Sequence, residues 1–317
     1  MTAISRPVIL FGGRPPQREE WGAALRKGAE ARGVEMDLRM APEDVDPAEV
    51  DAVIYNPEGP IQDFTPFTRL KAALNMWAGV EKVVGNQTLK APLTRMVEPG
   101  LTEGMTDWVV AHATRLHAGI DHHLDLKPGQ WPQWHPPLAR ERKVGVLGLG
   151  ELGADAARTL AALRFDVAGW SRRPKAIEGV TCFDGDEGLR AILARSEILV
   201  LLLPLTAATE NLLNAETLAL MPQGAAILNP GRGPLIDDAA LVEALDSGRL
   251  SHATLDVFRV EPLPADHPFW AHPKVTITPH IASVTRASTA AVALVEQIGR
   301  LAKGEPLLHV VDRAQGY

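Results

Sequence analysis

The chain has 317 residues, 46% hydrophobic and 22% charged, which is an ordinary globular composition and enough length for two domains with full cores. Its net charge of −7 argues against a general nucleic-acid or anionic-membrane surface. Met1 to Pro7 lacks a signal-peptide core, no apolar run approaches membrane-spanning length, and the single cysteine, Cys182, excludes an intramolecular disulfide framework and fits a reducing cytosol.

The first hundred residues alternate strand and helix. Val8 to Phe11 reads as a strand, Gln17 to Arg32 as an amphipathic helix, and Val34 to Arg39 as a second strand. Asp51 to Asn56 and Ala73 to Trp77 repeat the short apolar strand, which predicts a parallel sheet with helices on its faces. Leu101 to Ile120 reads as one long helix from a Thr102 cap with an acidic first turn. Its Trp108, Val109, Ala113 and Leu116 form a packing stripe. Lys127-Pro128-Gly129 and Trp131 to Pro137 are too rich in proline to continue that helix.

A second sheet opens at Lys143. The run Val144-Gly145-Val146-Leu147-Gly148-Leu149-Gly150-Glu151-Leu152-Gly153 is a strand entering G-x-G-x-x-G, with an Ala-rich helix expected to open on the last glycine. That context suits a dinucleotide. Gly148 permits a tight turn, Gly150 lets a pyrophosphate approach the backbone, and Gly153 lets helix and strand pack closely; the exposed amides and the positive helix end then hold phosphates. The next strand, Asp166 to Trp170, runs into Ser171-Arg172-Arg173-Pro174. An NAD site commonly places a carboxylate there against the ribose 2′-hydroxyl. Ser171 with two guanidinium groups suits a 2′-phosphate instead, so the sequence predicts NADP(H), with NAD(H) possible.

Later strands follow at regular intervals. Glu197 to Leu203 leads to Pro204-Leu205-Thr206, Gly224 to Asn229 to Pro230-Gly231-Arg232, His252 to Val257 to Phe258, and Lys274 to Thr278 to Pro279-His280. Open α/β sheets bind ligands beyond the carboxyl ends of their strands, so Arg232, Asp256 and His280 aim at one crevice. Hydride addition to a ketone develops negative charge on oxygen. Arg232 can polarise that carbonyl and pair with a substrate carboxylate, His280 can protonate the oxygen as general acid, and Glu261 can orient the imidazole and favour its charged form. The other histidines lack ligand spacing, so no metal is predicted. The final helix, Arg286 to Lys303, has the apolar spacing to return across the first unit.

The motifs Gly148 to Gly153, Leu203 to Thr206, Asn229 to Gly233, Leu255 to Phe258, Glu261 to Pro264 and Thr278 to Ala282 resemble the D-2-hydroxyacid dehydrogenases over nearly the whole chain. Trp170-Ser171-Arg172, Ala78-Gly79-Val80 and the tail Val311 to Tyr317 are similar to the subgroup that reduces glyoxylate and hydroxypyruvate. The resemblance implies an α/β protein of two domains, with a dinucleotide-binding Rossmann domain over residues 104–284. This would be inserted in a flavodoxin-like substrate domain of residues 1–103 and 285–317. It also implies a homodimer and closure of the cleft between domains during catalysis.

Carried over by position, the substrate carboxylate falls on the amides of Ala78, Gly79 and Val80, with Arg232 opposite. The cofactor site falls on Gly148, Gly150, Glu151, Leu152, Gly153, Ser171, Arg172, Arg173, Pro204, Thr209, Asn229, Pro230 and Asp256, with Asp256 on the nicotinamide amide. Trp77 departs from the glycine of close relatives and either reshapes the substrate pocket or packs behind the loop. Trp131 and Trp134 suggest that their segment reaches a partner subunit's active site. The implied activity is a cytoplasmic, NADPH-dependent reduction of small 2-oxo acids. Two alternatives stay open: an NADH-preferring reductase of a bulkier 2-oxo acid such as phenylpyruvate, and a non-catalytic dinucleotide sensor. Arg172-Arg173 speak against NADH, and the Arg232, Glu261, His280 set speaks against a pure sensor.

Overall fold

The computed structural model describes residues 3–124 and 126–316; Met1 and Tyr317, which close the two terminal motifs named above, lie outside them. The first elements are β1 (Val8–Gly12), α1 (Arg18–Arg32), β2 (Asp37–Arg39), β3 (Ala52–Tyr55), β4 (Ala72–Asn75) and β5 (Leu93–Thr94). Next come α2 (Pro99–Ala118), α3 (Asp121–Leu124), β6 (Lys143–Leu147), α4 (Glu151–Ala162), β7 (Asp166–Trp170), β8 (Thr181–Phe183), α5 (Gly185–Arg195) and β9 (Ile198–Leu201). The last are α6 (Ala215–Ala219), β10 (Ala225–Asn229), α7 (Asp238–Asp246), β11 (Leu250–Leu255), β12 (Val275–Ile277) and α8 (Ala287–Lys303). The chain divides into two compact units, Met1–Leu101 with Val284–Tyr317, and Thr102–Ser283.

The first unit is a five-stranded parallel sheet in the order β2-β1-β3-β4-β5, the arrangement of flavodoxin-like folds. Side chains alternate between its faces, as a strand requires. Ile9, Phe11, Ile54 and Leu74 meet Trp21 and Leu25 of α1 and Leu294, Val295 and Ile298 of α8. Leu10, Val53, Tyr55 and Ala73 meet Phe64, Val83 and Leu89 on the other face. Apolar burial on both faces explains why these strands read as continuous hydrophobic runs. α8 therefore does return to the first unit, and the tail after it is tied down by Arg313, whose Nη2 donates to Ala91 O at 2.8 Å.

The second unit is a seven-stranded parallel sheet in the order β12-β11-β10-β9-β6-β7-β8. Its first strand, β6, lies between β7 and β9, with Val144 in register with both Val167 and Ile198. The chain winds outward one way from β6 and then the other way from β9, which makes their boundary the topological switch point of a doubly wound fold. Trp108, Val109 and Ala113 of α2 pack with Ala156 and Leu160 of α4 against one face, and Leu116 lies against the same cluster.

Among the boundaries that differ from the sequence reading, three have a plain local cause. α2 begins at Pro99, not at a Thr102 cap, and has no acid in its first turn. The buried carboxylate of Glu98 accepts the Gly100 N–H at 2.7 Å, and proline suits the opening position because it has no N–H to satisfy. α4 opens at Glu151 with Gly150 as its cap, two residues before Gly153. β2 begins only at Asp37, because Gly33 ends α1 in the left-handed conformation at φ 60° and Val34 N–H still bonds back to Ala29 O. β8, with Cys182 in it, and helices α5 to α7 were not anticipated.

Candidate active site

The turn between β6 and α4 is shaped by the absence of side chains. Gly148 has φ +102°, and a Cβ there would lie 2.5 Å from Leu202 O. A Cβ on Gly153 would lie 1.7 Å from Gly148 O, an impossible contact. At Gly150 an added Cβ would meet nothing within 4 Å, so the space over that residue is open. Ala154 N–H makes the first helical bond, to Gly150 O at 2.8 Å. The N–H groups of Glu151, Leu152 and Gly153 thus precede any i−4 acceptor and gather at the positive end of α4. This cradle fits a dinucleotide pyrophosphate.

At the end of β7, Trp170 Nε1 donates to Gly185 O at 2.8 Å. Ser171 Oγ donates to Arg173 O at 2.7 Å, folding the basic turn, and Arg172 and Arg173 are exposed. A hydroxyl and two exposed guanidinium groups make an environment for a phosphate, not for a bare ribose hydroxyl pair. Beyond β9, Thr209 Oγ1 donates to Pro204 O at 2.7 Å and accepts the Thr206 N–H at 2.8 Å, which fixes the Pro204 loop.

Asn229, 1% exposed at the end of β10, wraps the next turn. Its Nδ2 donates to Arg232 O at 2.9 Å and its Oδ1 accepts the Gly231 N–H at 3.1 Å. Arg232 Nη1 donates to Gly231 O at 2.7 Å. Asp256, equally buried after β11, does the same for the turn after β12. Oδ1 accepts from Thr278 Oγ1 at 2.5 Å and from Ile281 N–H at 2.9 Å, and Oδ2 accepts from Ala282 N–H at 2.9 Å. Between them His280 sits at φ +53°, a region few non-glycine residues adopt. Its N–H donates to Asp256 O at 2.8 Å. Asp256, read from sequence as a contact for the cofactor, is therefore also the residue that shapes the His280 turn. Trp108 supports it from α2, with Nε1 donating to Thr278 Oγ1 at 3.2 Å.

Glu261 and His280 are hydrogen-bonded, Oε2 to Nδ1 at 2.7 Å, and Glu261 Oε1 accepts the Phe258 N–H at 2.9 Å. The Glu261 hydrogen bond raises the His280 pKa above the ordinary histidine value, against the opposing effect of burial. Burial pushes the Glu261 carboxyl up, but the bonds from His280 and Phe258 and the positive charges of His280 and Arg232 outweigh it and hold the group below its usual value. With the carboxylate facing Nδ1, the proton on that nitrogen is fixed and Nε2 is left for a substrate. The imidazole side chain is 54% exposed, so it is accessible.

In the first unit, Ala78, Gly79 and Val80 follow β4 directly. Trp77 packs against the core formed with α1 and α8, and Lys82 Nζ lies 5.3 Å from its ring centroid, an arrangement that suits a cation–π contact. Of the segment after α3, Trp131 is 89% exposed, while Trp134 turns back over Gly119 and lies 5.4 Å from the His122 ring. Sequence reasoning missed the anchoring roles of Asn229, Thr278 and Thr209. Asn229 and Thr209 each stand two or three residues from a motif residue they serve, and that adjacency was the available signal, whereas Thr278 bonds across strands to Asp256. Among the described residues no helix is long and apolar enough to cross a membrane, and no group of three or more histidine, cysteine or acidic side chains could hold a metal ion.

Comparison with known proteins agrees with this geometry. Residues 108–282 match the family model described as D-isomer specific 2-hydroxyacid dehydrogenase, NAD binding domain. A glyoxylate/hydroxypyruvate reductase A of Salmonella heidelberg is 40% identical over 257 residues, covering 78% of this chain and 82% of that protein. The fold matches a D-isomer specific 2-hydroxyacid dehydrogenase of Xanthobacter autotrophicus, solved with NADPH and MES, at TM-score 0.90 and 42% identity over 98% of this chain and 100% of that one. It also matches an NADPH-dependent glyoxylate/hydroxypyruvate reductase of Sinorhizobium meliloti, solved with NADP and sulfate, at TM-score 0.85 and 36% identity over 98% and 100% of the two chains.

Proposed function

The chain belongs to the D-isomer specific 2-hydroxyacid dehydrogenase family, and from that premise we propose that it reduces small 2-oxo acids with NADPH, glyoxylate and hydroxypyruvate foremost. The observation that carries the chemistry is the His280–Glu261 pair, 2.7 Å apart, beyond the carboxyl ends of a doubly wound sheet. The similar proteins named for glyoxylate and hydroxypyruvate, and those solved with NADPH or NADP, support the choice of substrate and cofactor. When bound, the nicotinamide supplies the hydride.

The protein's own groups do the rest. In this reading the Glu151, Leu152 and Gly153 amides hold the pyrophosphate, and Ser171, Arg172 and Arg173 hold the 2′-phosphate, while Pro204, Thr209, Asn229, Pro230 and Asp256 line the cofactor site. The amides of Ala78, Gly79 and Val80 bind the substrate carboxylate. Arg232 draws electron density from the ketone oxygen and pairs with the carboxylate. The protonated His280 donates its Nε2 proton to the oxygen as the charge develops there, and Glu261 stabilises the imidazolium beforehand. The neutral imidazole left behind is the base for the reverse reaction. A homodimer completes the reading, supported by the exposed apolar side chains Leu124, Trp131 and Leu138 within one fifteen-residue stretch.

Initial rates with glyoxylate, hydroxypyruvate, pyruvate and phenylpyruvate, each with NADPH and NADH, test the proposal. Fast NADPH oxidation with the two small acids is expected, and His280→Asn should lower that turnover by roughly three orders of magnitude or more. Preference for phenylpyruvate would move the substrate assignment to a bulkier acid, and near-normal turnover by the variant would overturn the role of His280.

A further inference from the structure

Asn75 ends β4 and is 1% exposed. Its side-chain Nδ2 donates to two carbonyls of the loop that follows, Trp77 O and Gly79 O, each at 2.9 Å. Because both partners are pure acceptors, the orientation of the amide is fixed. Its Oδ1 is buried with no hydrogen-bond partner among the described residues. An unsatisfied buried acceptor is destabilising, and a leucine of similar size would avoid that cost. What offsets it is the pair of bonds made by Nδ2.

Those bonds have a geometric consequence. In a trans peptide the C=O of one residue and the N–H of the next point in opposite directions, and the cis bond in the described chain is elsewhere, at Glu261-Pro262. Drawing Trp77 O and Gly79 O inward onto Asn75 turns the N–H groups of Ala78 and Val80 outward. Trp77 O also accepts from Met96 N–H at 3.0 Å, so the first of the two peptides has a second anchor and the effect of Asn75 falls chiefly on Val80. Val80 O in turn accepts from Val83 and Val84 at 2.9 and 2.8 Å, so the Val80 amide is set between a clamp behind it and a turn ahead of it.

We propose that Asn75 is a positioning residue for substrate: it aims the amides of Ala78 and Val80 and so sets affinity for the carboxylate of the 2-oxo acid. The inference rests on the reading that these amides bind that carboxylate. It assigns to Asn75 a role in binding and none in proton or hydride transfer. Asn75→Asp keeps the shape but replaces the donor with a charge that repels both carbonyls. Asn75→Leu removes the donor together with the unsatisfied acceptor; it also takes a donor from Gly79 O, so its melting temperature is measured beside its affinity.

The test is oxamate, an unreactive carboxylate, titrated by calorimetry into the enzyme with NADPH bound, alongside steady-state kinetics with glyoxylate. Both variants are expected to weaken oxamate and raise KM at least about tenfold, with kcat within about threefold of the parent and NADPH affinity unchanged, the pattern of lost ground-state binding. Oxamate affinity and KM within about twofold of the parent in a folded Asn75→Leu protein would overturn the proposal. So would a uniform fall in kcat, NADPH affinity and melting temperature, which marks a structural role only. A parent enzyme that turns over glyoxylate but binds no oxamate would instead remove the carboxylate assignment of the loop, and the proposal with it.

Discussion

Two turns in this molecule follow a buried parallel strand and present backbone N–H groups, and they are built by opposite means. The turn from β6 to α4 is made by missing side chains: a Cβ on Gly153 would strike Gly148 O at 1.7 Å, and Gly148 requires φ +102°. The loop after β4 is made by a side chain that is present, with Asn75 holding Trp77 O and Gly79 O at 2.9 Å. A turn built on glycines is specified by sterics that no other residue satisfies. A turn built on an amide clamp is specified by hydrogen bonds, which leave the sequence freer and the geometry open to adjustment. The first should fail abruptly when changed, and the second by degrees.

The largest expected effect comes from breaking the glycine turn. Gly153→Ala forces β6 and α4 apart, so NADPH binding should weaken by at least about a hundredfold and the melting temperature should drop. Gly150→Ala is the contrast. Its Cβ would meet no protein atom within 4 Å, so stability should be kept while NADPH binding weakens through contact with the bound phosphates. Thermal denaturation with fluorescence titration of NADPH separates the two, and equal melting temperatures for all three proteins would show that the close approach at Gly153 is not a constraint.

This difference between the turns also decides what could be read from the sequence. Gly148 to Gly153 was legible because each glycine answers a local steric demand, and the strand-end positions of Arg232, Glu261 and His280 followed from the sheet itself. The clamp at Asn75 was not, since nothing local says whether a buried amide turns toward solvent, core or loop. The start of α2 was misread for a related reason: Glu98, not one of the usual capping residues, accepts the Gly100 N–H. The anchoring of the His280 turn by Asp256, through the Thr278, Ile281 and Ala282 donors, was not legible either, because it depends on β12 lying beside β11. Sequence gives the strand ends. It does not give the bonds between them.

A smaller effect is expected where the glycine turn hands over to side chains, at the end of β7. Arg172 and Arg173 are exposed, and the Ser171 hydroxyl already folds their turn, so replacing both arginines with alanine should leave the fold intact. Affinity for NADPH should fall by roughly ten- to a hundredfold while NADH is little changed, the loss of charge-assisted bonds to one phosphate. The measurement is the ratio of the two KM values. An equal loss for both cofactors would make the pair structural and return NADH to consideration.

The mildest change leaves both turns alone and alters only the charge beside His280. Glu261 raises the histidine pKa through its hydrogen bond, and the proposed reduction uses the protonated imidazole, so kcat/KM for the 2-oxo acid should be flat at low pH and fall as pH rises through that raised pKa. In Glu261→Gln the negative charge is gone, the pKa drops toward its ordinary value, and the alkaline fall begins at lower pH. Near neutrality and above, reduction should slow by several-fold up to about tenfold, and below the ordinary histidine range the deficit should shrink. Oxidation of the hydroxy acid, which needs the neutral imidazole, should show its rise displaced in the same direction, toward lower pH. NADPH affinity should be untouched in either direction, because Glu261 touches His280 and the Phe258 amide and neither phosphate-facing turn. A profile that scales uniformly, with no movement of the limb, would mean that Glu261 acts through geometry and not through its charge.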